Sequence, residues 1–205
     1  MRINLKYKED CYVDCLTNNK FAEDKDREWF ISAIKYYQVL LCKVNVYIEF
    51  YNRFYAHMTA SKTALTAIFL ESFCRTITYI VYKLFGRSNK NSILKFKNDI
   101  NKLYNKNAVD FKSELNFTKE EQEIIDVVLN VRNKVYGHSD DESYNVSHID
   151  ALMSKINIDD VKLVMNRCMN FINDLWKKFC DHEISFMLED MDKLSSTLKK
   201  ILKII

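Results

Sequence analysis

Residues 26–58 read DREWFISAIKYYQVLLCKVNVYIEFYNRFYAHM, and this stretch decides the fold. Phe30, Ile34, Tyr37, Leu41, Val44, Ile48, Tyr51, Tyr55 and Met58 recur at alternating four and three residues, one stripe of a long helix. A second stripe, Trp29, Ala33, Tyr36, Leu40, Tyr47, Phe50 and Phe54, flanks the first. A helix that is apolar over two stripes packs between two neighbours, in a bundle or at a dimer seam. These aromatics are expected to be core.

The rest of the chain agrees. Its 205 residues contain no proline and only two glycines. Sandwiches and barrels need many tight turns, several at positive φ, so a β fold is excluded. With 48% apolar and 29% charged residues, so is disorder. The expected fold is all-α, an antiparallel bundle of four to five helices. Residues 1–25 form a poorly patterned N-terminal segment. Residues 26–205 form one helical domain, with 187–205 an amphipathic helix at its end.

Further along, Leu65, Ile68, Phe69, Phe73, Ile77, Ile80 and Leu84 mark a second helix from about Ser61 to Phe85, stopped by Gly86 as a C-cap. A shorter helix covers about Ser92 to Asn105. Thr118 and Glu121 have the spacing of a capping box and open a fourth helix through Ile124, Ile125, Val128, Leu129 and Val135. Ser139 to about Asp159 is acidic and is read as a loop. Val161, Met165, Cys168, Ile172, Leu175, Phe179 and Phe186 form the stripe of the last long helix, with a phase shift near His182.

The net charge of +3 neither requires nor excludes a polyanion partner. No stretch reaches the roughly 18 apolar residues of a membrane span, and acids stand where an export signal is apolar. A cytoplasmic location is expected. There is no Cys-x-x-Cys; Cys42, Cys74, Cys168 and Cys180 lie within apolar patterns and are expected to be reduced thiols, with no metal site. No cofactor motif is found: two distant glycines cannot make a phosphate loop.

One segment can carry chemistry: Val131-Arg132-Asn133-Lys134-Val135-Tyr136-Gly137-His138-Ser139-Asp140. Arginine's planar fork grips phosphate, and histidine moves protons near neutrality. On an ideal helix, residues six apart are rotated by about 120° and displaced by about 9 Å. Arg132 and His138 therefore need a break, which Gly137 permits, or a two-fold partner. The plainer reading pairs Arg132 with an acid such as Asp126 and has His138 cap a helix end.

From Lys83 to Asn107 the chain carries Lys83, Arg87, Lys90, Lys95, Lys97, Lys102 and Lys106 against Asp99 alone, with Phe96 and Tyr104 interleaved. Such a stretch suits a nucleic-acid backbone and its bases, or is simply a solvated helix face. Lys90, Lys95, Lys97 and Lys134 are the candidate RNA contacts. His182 reads as a core histidine, His57 and His148 have no partner in the sequence, and the tail from Met191 to Ile205 is expected to pack on its own bundle.

Arg-Asn-Lys-x-x-Gly-His on the penultimate major helix of an α-helical bundle resembles the HEPN superfamily. Its signature is an arginine, a polar residue, and a histidine after four to six intervening residues. The helix order is most similar to the abortive-infection branch, over about residues 26 to 180. The resemblance implies a metal-independent endoribonuclease, a toxin or phage-defence effector acting as a homodimer. Arg132 would bind the scissile phosphate, His138 would serve as general acid or base, and Asn133 would orient the phosphate or the motif. Products would carry 2′,3′-cyclic phosphate and 5′-hydroxyl ends. Gly137 replaces the alanine common there. Some relatives have a tyrosine two residues after the histidine, modified by an antitoxin; Asp140 stands at that place. The competing expectation is a non-catalytic dimerisation or partner-binding module of the same fold.

Overall fold

The computed structural model describes residues 20–58, 64–137 and 154–180. They form five α-helices: α1 (Asp24–Met58), α2 (Ala64–Phe85), α3 (Ile93–Asn105), α4 (Lys119–Val131) and α5 (Ile158–Cys180). A π-helical turn, Arg132–Gly137, continues α4. His138, His148, His182, the acidic stretch as far as residue 153 and the 187–205 tail lie outside the described residues.

The stripe on α1 does what its period requires. Phe30, Ile34, Leu41, Val44 and Ile48 are completely buried, and Tyr37 nearly so. At 35 residues α1 is the longest of the described helices, about 52 Å at 1.5 Å per residue. Tyr55, on the same stripe, is 56% exposed. The stripe therefore runs past the end of the core.

Contacts fix the directions of the helices. Tyr37 donates its hydroxyl to the carbonyls of Asn91 and Ser92, while Phe50 stacks on Phe73 further along. Ascending α1 is thus descending α2, and the pair is antiparallel. Lys20, just before α1, donates to the carbonyl of Lys178, and Asn52 donates to Asp159 at the other end. α1 and α5 are antiparallel as well. α4 differs: Phe117 before it touches Phe85, and Arg132 after it covers Tyr82. Both contacts fall within one turn of α2, so α4 crosses the end of α2 instead of running along it.

The core joins all five helices. Phe30 packs its ring against Phe21, Phe96, Phe111 and Phe179, at centroid distances of 5.2, 6.0, 5.6 and 5.1 Å. Phe21 belongs to the segment with no readable period, yet it is 5% exposed. Two backbone hydrogen bonds hold it there, Ala22 to Ala108 and Asp110 to Lys20. A two-residue bridge has no period to read, which is why the pattern missed it.

Helix ends follow their chemistry. The Ser92 hydroxyl accepts from the Lys95 amide at the start of α3. Thr118 and Glu121 form the complete capping box of α4. Asn107, after α3, takes the left-handed backbone that asparagine tolerates, at φ 56°. Between α3 and α4, Ser113 is clipped down by Lys97 and Asn101, its hydroxyl donating to the Lys97 carbonyl at 2.8 Å.

Two expectations need correction. Gly86 does end α2, as expected, but without the left-handed backbone common in glycine caps, since neither described glycine has a positive φ. Its amide still bonds the Tyr82 carbonyl at 2.8 Å, as in a helix, and it is glycine for a reason of space. Ile68 is 59% exposed, off the buried face that Ile77, Ile80 and Leu84 define. Cys42, Cys74 and Cys168 are free, but Cys180 is disulfide-bonded.

Candidate active site: the end of α4

The capping box starts α4 at Thr118, and burial of Ile125, Val128 and Val131 seats it on the core. Thirteen residues later the chain widens into the π-helical turn from Arg132 to Gly137. The wider turn begins at the arginine; the break expected at Gly137, which would redirect His138, falls at the edge of the described residues. Single π turns within helices frequently mark functional positions.

In an α-helix adjacent side chains point apart. Here Arg132 donates from Nη1 to the Asn133 side-chain oxygen at 3.0 Å. The guanidinium lies over the ring of Tyr82, its carbon 3.8 Å from the ring centroid. Such stacking suits a planar cation better than an ammonium. Arg132 makes no ion pair among the described residues, and Asp126, the expected acid, accepts from Gln122 instead. Of the five N–H donors of a guanidinium, one goes to Asn133.

Tyr82 is in turn held from below. A Cβ added to Gly86 would stand 2.7 Å from the Tyr82 carbonyl oxygen and 2.9 Å from its ring. Only glycine lets the ring lie this close to the chain. The Tyr82 hydroxyl reaches the Ser88 hydroxyl at 3.1 Å. Gly86, Tyr82 and Arg132 thus form a stack linking the turn after α2 to the turn after α4. Periodicity could not reveal it, because Arg132 and Tyr82 are fifty positions apart and Tyr82 lies off the apolar stripe.

The other candidate residues have different settings. Lys134 and Asn133 are exposed on the π turn, and Lys90 is exposed in the turn after Ser88. Lys95 is exposed on α3. Lys97 gives its ammonium to the Leu115 carbonyl at 3.1 Å and so helps hold the 106–118 loop. No contact among the described residues joins Lys95 or Lys97 to Arg132. Phe96 is 3% exposed, packed on Trp29, Phe30 and Tyr37, which removes it from any base-stacking role; Tyr104 is 40% exposed.

The charges are divided between the two ends of α4. Glu120, Glu121 and Glu123 lie at its start, where carboxylates favour the helix dipole. Glu120 is held below the usual carboxylate range by backbone and Thr118 hydrogen bonds. Beside them a groove of about 450 Å³ between α4 and the start of α5 carries these acids, Asp160 and Lys155. Glu121 and Glu123 are paired there with Arg167 and Lys119, whereas Arg132 and Lys134 at the other end have no acid partner among the described residues. Phosphate bound at that end must be held by side-chain cations, since helix amides point the other way.

No protein-family model matches the chain, and no curated protein or solved structure does so either.

Proposed function

We propose that the chain is a HEPN-type endoribonuclease that cleaves RNA without a metal ion, with Arg132 gripping the scissile phosphate and His138 moving the proton. The reading is carried by one observation above the others. Arg132 is held by an aromatic ring and an amide oxygen, with no carboxylate among the described residues to neutralise it. A guanidinium so placed is a ready anion site, and His138 follows the same turn by one residue.

The chemistry follows from these groups. The 2′-oxygen attacks phosphorus while its proton leaves, and the bond to the 5′-oxygen breaks as that oxygen gains a proton. His138 serves one of these transfers. Arg132 offsets the charge that builds on the non-bridging oxygens. Asn133 fixes the guanidinium plane. A homodimer would bring two such turns to one cleft and supply a second histidine. The biological setting in this reading is a toxin or phage-defence effector of the cytoplasm, held in check by an antitoxin or another regulatory protein.

The test compares RNA cleavage and growth arrest for wild type, Arg132→Ala and His138→Ala, with chelator present. Cleavage by wild type alone supports the reading. Equal cleavage by all three proteins, or loss of wild-type activity on chelation, removes it and leaves a non-catalytic module of the same fold.

A further inference from the structure

We propose that the outer face of α2 next to Arg132 is a track for single-stranded RNA, in which Tyr79 stacks a base and Lys83 binds the adjoining phosphate. The proposal rests on the ribonuclease reading and names the form of RNA that reaches the site.

Residues 75, 79, 82 and 83 share one face of α2, since positions three and four apart are neighbours on a helix. Tyr79 is 50% exposed on that face, a large ring left to solvent beside a full core. The Lys83 ammonium sits 5.2 Å from its centroid. One turn on, Tyr82 carries the Arg132 guanidinium. Two tyrosine–cation pairs therefore stand side by side, and the second holds the arginine assigned to the scissile phosphate. A nucleotide stacked on Tyr79 has its backbone within reach of Lys83 and leads on to Arg132.

Charge supports a polyanion where this face meets the turn after α2. Lys83, Arg87 and Lys90 fall there with no acid between Ser72 and Asn98, while the exposed Glu71 stands two turns back from Tyr79 on the same face. A second copy of the chain fits the face poorly, because a two-fold contact opposes the patch to itself and like charges meet. A duplex fits poorly as well, since its bases are already stacked and a ring on a convex helix cannot reach them. An unpaired strand satisfies both the ring and the cations, as in other single-strand surfaces.

The test is the binding of a labelled RNA of about twelve nucleotides with 2′-O-methyl groups throughout, which the 2′-hydroxyl mechanism cannot cleave. Fluorescence anisotropy gives Kd for wild type, Tyr79→Ala, Tyr79→Phe and Lys83→Ala. Tyr79→Ala is expected to weaken binding by roughly five- to a hundredfold, and Tyr79→Phe by less than about twofold. Lys83→Ala should lower the slope of log K against log salt by about one. The same sequence annealed to its complement should bind wild type weakly and ignore Tyr79→Ala. Wild-type affinity retained in Tyr79→Ala, or a change in its oligomeric mass, overturns the track.

Cleavage of the unmodified RNA, run in parallel, separates the two claims. Cleavage with Tyr79-independent binding rejects the track and spares the ribonuclease. Tyr79-dependent binding without cleavage does the reverse. No binding by wild type rejects the track, and no binding together with no cleavage of the unmodified RNA rejects both.

Discussion

Tyr82 is the residue on which the proposed site turns, and nothing in its local sequence announces it. It works through Arg132, so it is a positioning residue. Tyr82→Leu removes the ring from beneath the guanidinium, a contact of about 0.5–2 kcal/mol, and kcat for RNA cleavage is expected to fall by about two- to thirtyfold. Tyr82→Phe keeps the ring and should stay within about twofold. Gly86→Ala should behave like Tyr82→Leu, because its methyl group occupies the space of the ring. A kcat unchanged in both Gly86→Ala and Tyr82→Leu would contradict the stack. Arg132, Asn133 and the turn between two helices were legible because they are contiguous or carry a cap. The partner of Arg132 was not, since a contact across fifty residues leaves no period, and Gly86 was read as a cap because spacing reports where a helix ends and not what presses on it.

Among the elements, those with long stripes or paired caps were the legible ones. α3 starts at the expected serine, and α4 opens at the expected capping box. Thr118→Ala should cost about 0.5–2 kcal/mol in urea unfolding, and a similar loss in Glu121→Ala with little extra in the double variant would show that the two act as one box. Glu121 also pairs with Arg167 of α5 at 2.6 Å, so its own loss should be somewhat larger. The short elements were not legible. The bridge at Phe21 and the Ser113 clip depend on hydrogen bonds from distant residues, and the π turn is six residues long, all below the length at which a pattern forms. The far end of α2 failed for a different reason: Ile68, nine residues before Ile77, lies half a turn round the helix from the buried face, so an apolar residue there was read into a stripe it does not share.

At the scale of the molecule, the all-helical fold was evident from composition, while the crossing of α4 over α2 was not. That crossing sets the proposed site, for it brings the end of α4 onto Tyr82. The core also sets a pH limit. Burial first, then Glu71, pushes the Cys74 thiol up to about 11. Burial, then Cys74 and Tyr55, pushes the Tyr51 hydroxyl up to about 12. Both groups must stay neutral in the fold, so their stabilisation is complete below their ordinary values near 9 and 10. It is lost as pH rises towards 11 and 12. Thermal melts should show Tm level to about pH 9 and falling from there to pH 12, with the first part of the fall reduced in Cys74→Ala. A Tm that rises over this range would contradict the burial of the pair.

The central claim is that Arg132 and His138 cleave RNA through its own 2′-hydroxyl. The most direct measurement is the chemistry of the ends produced when wild type cuts single-stranded RNA in excess chelator, read by mass spectrometry. The account predicts 2′,3′-cyclic phosphate and 5′-hydroxyl ends, absent with His138→Ala and at any position carrying a 2′-deoxynucleotide. Ends carrying 3′-hydroxyl and 5′-phosphate, or cleavage that survives the 2′-deoxy substitution, would contradict it.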